Sequence, residues 1–490
     1  MKISNPNLFE IFTRIWIKRF GNNVFIDEVP GSFWKSLSDM GMDYVWLMGI
    51  WKTNKEIVDK YCFEEGLVES YSKALSDWKK EDVAGSPYAI DVYDINPVFG
   101  NLERLQNLRK ILKKYNLKLI LDFVPNHFSA ETSLLKTHPD IFLEAGEDFF
   151  ENDSYTYFRP DLLPGKIFAH GRDPFFPAWQ DTIQVNYFKK EAREFMIQTL
   201  LRISEIADGV RCDMAMLDLN HVFENTWGSL LSKSGYNKPQ NEFWSEAISV
   251  VKNKNKNFIF IAEAYWDLEW QLQQLGFDYT YDKRLTDRLR ANYVPDIKAH
   301  LRAGEDYQKK MVRFIENHDE ERAVAMFGEK RSKAAATIIS TLMGMHLYFD
   351  GQFEGKKIKL PVQLNREPAE KPNNVILKFY NKLLKITKDE VFKKGSWKFI
   401  ETLPAWDGNT TYENILAWLW VFERERRLIV VNFSNVKSVC RIKFNIEPDE
   451  NEIELYDLLH NKSYLRNVEE ITSIGLFVEL KCYKSHIFKY

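Results

Sequence analysis

Through roughly the first 350 residues, short apolar runs alternate with longer stretches whose apolar positions recur at helical spacing. That alternation predicts parallel strands joined by helical crossovers. Strands are expected over Ile11 to Trp16, Tyr44 to Met48, Leu117 to Phe123, Gly209 to Asp213, Phe258 to Glu263, Met311 to Ile315 and Met345 to Phe349. Between them, Leu102 to Lys114 and Lys189 to Ile206 read as amphipathic helices. A closed (β/α)8 barrel of the TIM type is the economical architecture for so many consecutive units. The structural rival is a doubly wound open sheet, and the length of the series decides between them.

Two intervals depart from this rhythm. Ser129 to Asn186 is rich in Pro, Gly, Asp and aromatic residues with little helical period, and is expected to form an inserted subdomain after the third strand. Beyond Gly395 the runs become β-type, at Ile415 to Phe422, Leu428 to Phe433, Val439 to Phe444 and Ser485 to Phe488, which predicts a C-terminal all-β domain. The expected division is therefore a barrel over 1–128 and 187–395, an inserted subdomain over 129–186, and a C-terminal β-sandwich over 396–490. Trp418 and Trp420 alternate along one strand and suit a face packed against the barrel.

Composition narrows the function. With 490 residues, 45% of them hydrophobic and 28% charged, and a net charge of -3, the chain has no electrostatic bias towards nucleic acid or an anionic membrane. Neither partner is expected, and oligomeric state is left open. Met1 to Glu10 lacks the basic start and apolar stretch of a secretory signal, and no apolar run spans a bilayer, so a cytoplasmic location is expected. The four cysteines, Cys62, Cys212, Cys440 and Cys482, are scattered without metal-type spacing and read as reduced thiols.

Four polar clusters follow directly on predicted barrel strands, where barrel enzymes keep their chemistry. They are Asp122-Phe-Val-Pro-Asn126-His127, Gly209-Val-Arg211-Cys-Asp213, Glu263-Ala-Tyr-Trp266 and Phe314-Ile-Glu-Asn317-His318-Asp319. Cleaving a glycosidic bond with retention needs one carboxylate to attack and one carboxylic acid to protonate the leaving oxygen, roughly 5 to 5.5 Å apart. Asp213 and Glu263, at the ends of the fourth and fifth expected strands, can face each other across a sugar. Arg211, two residues before Asp213 on the same strand face, would keep Asp213 ionised, while a like charge or desolvation would keep Glu263 protonated.

In this order and spacing, the four clusters resemble the signature regions of the alpha-amylase superfamily of glycoside hydrolases. The resemblance covers nearly the whole chain, and Phe33 to Trp51 and Ser86 to Pro97 extend it. It implies that Asp213 is the nucleophile, Glu263 the general acid/base and Asp319 a third carboxylate that engages sugar hydroxyls. It also implies that Arg211, His127 and His318 surround the cleaved sugar and that Tyr88 is a stacking platform beneath it. Trp266 either lines an acceptor site or simply packs.

The chain also departs from the family. A Lys-His pair that commonly follows the nucleophile is replaced by Met216 and Leu217, and the acidic residue expected in Thr182-Ile-Gln-Val-Asn186 is Gln184. Only Asn126 remains of the usual calcium ligands, so no metal or other cofactor is expected; a Leu217 carbonyl with Asp173 or Asp181 would be the route by which calcium could still bind. Met214, Met216 and Leu217 make the acceptor side apolar. The expected activity is hydrolysis of α-glucosidic bonds in malto-oligosaccharides or related short α-glucosides. The rivals are a transglycosylase or phosphorylase on the same scaffold, and a non-catalytic sugar-binding protein, which would not need all three carboxylates.

Overall fold

The computed structural model describes residues 3–446 and 451–490. Eight parallel strands close into a barrel, each paired with the next in chain order and the eighth with the first. They are Asn7–Phe12, Tyr44–Met48, Lys118–Phe123, Gly209–Cys212, Ile259–Ala262, Tyr279–Tyr281, Met311–Arg313 and Met345–Phe349. Because successive side chains point to opposite faces, each apolar run feeds two cores. Leu8, Trp46, Ile120, Ile261, Tyr281 and Leu347 fill the barrel interior. Phe9, Leu47, Leu121, Val210 and Phe260 pack outward under the helices.

One expected barrel strand is displaced, and one strand goes beyond the seven expected. The first strand is Asn7–Phe12, not Ile11 to Trp16, and Thr13–Trp16 is a helical turn. The chain leaves the barrel there, and the turn is held by Arg14, whose Nη1 donates to the Gly85 carbonyl at 2.6 Å. The strand was misplaced because it includes a buried charge, Glu10. The sixth strand, Tyr-Thr-Tyr at 279–281, is three residues between two aspartates and gives no readable period.

The helix expected over Leu102 to Lys114 has those bounds, and Asn101 caps it by accepting from Arg104 N at 3.0 Å. After the third strand, His127–Ser129 pairs antiparallel with Thr182–Gln184, and Glu144–Ala145, Tyr157–Phe158 and Ile167–Ala169 form a small sheet above that join. A second excursion, which the sequence pattern does not reveal, pairs Trp51–Thr53 with Ile90–Ile95 and carries Tyr88 at its base.

At the C-terminus a six-stranded antiparallel sheet lies against a three-stranded one, sharing a core of Ile415, Leu428, Val430, Cys440, Val478 and Phe488. Five strands beyond the four expected runs appear here, with a short helix, Val468–Ser473. The other face of the larger sheet packs on the barrel. Trp418 and Trp420 both donate their indole N–H to the Thr341 carbonyl, at 3.0 and 2.7 Å, at the end of the helix Ala323–Thr341. No helix among the described residues is long and apolar enough to cross a membrane.

Gly209, the first residue of the fourth strand, shows how closely the barrel is packed. A Cβ there would meet the Ile259 side chain, the Ile259 carbonyl at 2.6 Å and Ile120 Cδ1 at 2.8 Å. Gly209→Ala is expected to destabilise the fold by about 1–3 kcal/mol. Gly228→Ala, in the interior of the helix Asn220–Lys233 with nothing within 4 Å of the new methyl, should instead be neutral or stabilising by up to about 1 kcal/mol. Denaturant unfolding of the two variants checks the contrast.

Candidate active site

The ends of the barrel strands bring the named side chains into one web centred on Arg211. Arg211 is fully buried, and its guanidinium lies 5.2 Å from the Trp46 ring, 5.5 Å from Tyr88 and 5.6 Å from Tyr281. Its Nη1 pairs with Asp213 Oδ1, and its Nη2 lies 2.9 Å from Glu263 Oε2. One cation therefore bridges both carboxylates. Oxygens held on adjacent nitrogens of a planar fork lie well within about 10 Å of each other, the range that two-carboxylate glycoside cleavage requires.

Glu263 is held at both oxygens. Tyr265 donates its hydroxyl to Oε1 at 2.8 Å, and the Met214 amide donates to Oε2 at 2.7 Å. To aim that amide, Met214 adopts left-handed φ/ψ of 42° and 44°, which costs a non-glycine residue about 1 kcal/mol. The same loop returns to the fifth strand, with Ala215 N donating to the Glu263 carbonyl at 3.1 Å. Burial raises the Glu263 carboxyl to about 7, with Asp213 and Asp319 adding repulsion and Arg211 opposing. A carboxyl in that range holds a proton near neutral pH and can give it up.

A second group links the first strand to the seventh. His318 Nδ1 lies 2.5 Å from Glu10 Oε1, and its Nε2 is 2.8 Å from the Tyr88 hydroxyl and 2.9 Å from Asp319 Oδ2. Tyr88 also stacks on the imidazole, centroids 5.5 Å apart at 25°. Burial opposes the imidazolium, but the charges of Asp319 and Glu10 raise His318 to about 10. Burial likewise opposes the Asp319 carboxylate, yet His318 lowers it to about 2. Asp319 and His318 therefore form an ion pair at neutral pH. Asp319 keeps 46% of its side chain exposed, and its carbonyl accepts from Lys359 Nζ.

His127 stands at the edge of this web, where burial lowers it to about 4 and leaves it neutral. Trp266 lies outside it. Its ring meets Phe175 of the inserted segment at 4.9 Å, edge to face, and both Trp266 and Asp267 have φ near +60°. Phe175 and Phe176 are 68% and 65% exposed while Trp266 is half-buried and packs against the core, so the Trp266–Phe175 contact forms an aromatic rim at the edge of the core.

Five residues of the web go beyond the sequence reading: Trp46 and Tyr281 around Arg211, and Glu10, Tyr265 and Lys359. Glu10 carries a signal, a charge inside an apolar run. Tyr265 sits inside a recognised cluster but has no distinguishing feature there, and Lys359, 40 residues after Asp319, gives none.

The calcium question turns on Gln184. Its Nε2 lies 2.8 Å from the Asn126 carbonyl, 2.9 Å from Asn126 Oδ1 and 3.1 Å from the Val185 carbonyl. Three oxygens thus converge on an amide nitrogen, an N–H donor that cannot ligate a cation. The other amide atom of Gln184, Oε1, is buried with no hydrogen-bond partner.

A closed parallel barrel with paired acidic groups at its strand ends suits two-carboxylate glycoside chemistry, and comparison with known proteins gives the family. Residues 35–397 match the family described as "Alpha amylase, catalytic domain", and the chain belongs to that family of glycoside hydrolases. Alpha-amylase 3 of Dictyoglomus thermophilum is 22% identical over 435 residues, 77% of this chain and 78% of that protein. A cyclomaltodextrin glucanotransferase of Paenibacillus macerans is 24% identical over 54% of this chain and 37% of its own. Among solved structures, a noncanonic maltogenic alpha-amylase from Thermotoga neapolitana superposes with a TM-score of 0.69 at 20% identity, covering 99% of this chain and 98% of that one. This last likeness shows the fold.

The Glu10–His318 pair predicts a pH-dependent stability. A histidine raised from 6.5 to about 10 contributes stability that is fully present below about pH 6.5 and is lost as pH rises through about 10. Glu10→Gln keeps an acceptor but removes the charge, so the variant should be less stable by about 1.5–3 kcal/mol at pH 6. The deficit should shrink towards pH 10, as read by urea unfolding at both pH values.

Proposed function

We propose that the protein is a retaining glycoside hydrolase acting on α-glucosidic bonds of malto-oligosaccharides or related short α-glucosides. Asp213 attacks the anomeric carbon and Glu263 protonates the leaving oxygen, then removes a proton from the incoming water. Asp319, paired with His318, accepts hydrogen bonds from sugar hydroxyls. Tyr88 stacks beneath the sugar, with Arg211 and His127 beside it. The observation that carries this reading is the single guanidinium bridging Asp213 and Glu263, with burial raising Glu263 to about 7. Carboxylates in unlike environments take unlike roles.

Trp266 and Phe175 favour a second reading of the later step. An exposed aromatic rim is a surface on which a sugar acceptor can stack, so transfer to another saccharide competes with hydrolysis. We also place the protein in the cytoplasm, on its free cysteines, with no metal at the barrel site, where Gln184 stands in place of an acidic ligand.

Asp213→Asn should abolish nearly all turnover of maltotriose without unfolding the protein, and Glu263→Gln should lower kcat by about 10²–10⁴-fold. Wild-type turnover in either variant would refute the assignment. The kcat/KM profile should fall as pH rises through about 7, where Glu263 loses its proton. Tyr265→Phe removes a hydrogen bond to the ionised form, so that limb should move up by about one pH unit. Product analysis with excess maltose separates the two readings, because longer oligomers appear only with transfer. A chelator should leave maltotriose turnover unchanged.

A further inference from the structure

A second cluster of polar side chains lies far along the chain from the barrel carboxylates, in the larger C-terminal sheet. Asp457 ends the strand Glu452–Asp457, His460 stands in the turn that follows, and His486 lies on the adjacent strand Ser485–Lys489. Asp457 is fully buried. Its Oδ1 accepts the backbone amides of Leu459 at 3.0 Å and Ile487 at 3.4 Å, which fixes the carboxylate plane. The other oxygen, Oδ2, lies 2.5 Å from His460 Nδ1 and 2.6 Å from His486 Nδ1. Burial opposes its charge, but hydrogen bonds from the two imidazoles hold the carboxyl well below the usual range. Among the described residues this is the one group of three His, Cys, Asp or Glu side chains whose ligand atoms all fall within 4.8 Å.

We propose that Asp457, His460 and His486 form a binding site for a zinc-class divalent ion that staples the hairpin turn to the sheet. Two imidazole nitrogens and one carboxylate oxygen are a donor set for a borderline ion and not for calcium or magnesium, which take oxygen. The carboxylate is oriented by backbone amides, and His486 is oriented by stacking on Phe488, with ring centroids 4.8 Å apart at 25°. Such supporting contacts fix ligands before the ion arrives. With Zn–N and Zn–O bonds of about 2.0–2.1 Å in tetrahedral geometry, ligand atoms sit about 3.3 Å apart, so loading opens the present contacts by about 0.7 Å. His460, 42% exposed in a turn, supplies that movement and leaves the fourth position to water. On loading, each imidazole shifts its proton from Nδ1 to Nε2, and no redox step is involved. The turn also reaches the barrel, where Lys382 Nζ donates to Asn461 Oδ1 at 2.9 Å, so the staple sits at the seam between sheet and barrel.

The test is titration of the untagged, demetallated full-length protein with zinc chloride by calorimetry. Cobalt chloride serves as a spectroscopic stand-in whose visible absorption reports tetrahedral coordination. Binding should saturate at about one equivalent and raise the melting temperature, and His460→Ala, a change at an exposed turn, should weaken it by about 100-fold with maltotriose turnover unaltered. Absence of saturable binding by the wild type, or equal binding by His460→Ala and His486→Ala, would overturn the proposal.

Discussion

One buried guanidinium organises the active end of this barrel. A charge as fully enclosed as Arg211 is tolerable only when paired, because an isolated ion in a low-dielectric interior is expensive to desolvate. Asp213 and Glu263 supply that pairing from two adjacent strands, and Trp46, Tyr88 and Tyr281 close around the cation with their ring faces. The same constraint that stabilises the arginine fixes the distance between the carboxylates. It also makes them unequal, since Glu263 accepts from a tyrosine and a backbone amide yet is raised by its burial.

The fold delivers this arrangement through register. The fourth strand is paired so that Arg211 stands opposite Asp122 on one side and Ile261 on the other, which puts Asp213 and Glu263 level just beyond the last paired residues. The loop after Asp213 then winds back on itself at Met214 to reach Glu263. His318 joins the eighth-to-first closure to the site, because its partner Glu10 belongs to the first strand and Asp319 follows the seventh. Barrel closure and side-chain ionisation are in this sense one problem.

How much of this could be read from the chain depends on what kind of signal each part leaves. The strand-end placement of Asp213 and Glu263 was legible because each closes an apolar run, that of Asp319 because it ends a polar cluster that follows one, and that of Arg211 because it shares a strand face with Asp213. Tyr279–Tyr281 was not, being too short for any period. Glu10 misled the reading: a carboxylate within Leu-Phe-Glu-Ile-Phe looks like the edge of a strand, whereas its burial is made tolerable by a histidine 308 residues away. Arg211's second partner and the left-handed turn at Met214 depend on which strands are neighbours, and no local pattern encodes that. Gln184 reads only as a missing acid until its amide is seen facing three oxygens.

The proposed reaction requires a carboxylate and a carboxylic acid acting on opposite sides of one glycosidic bond through a covalent intermediate. The direct measurement is proton NMR of the anomeric configuration of the sugar first released from a malto-oligosaccharide, before mutarotation. Two inversions at the same carbon predict the α-anomer initially, followed by slow appearance of β. Initial release of the β-anomer would mean a single displacement by water, and the role given to Asp213 would be wrong.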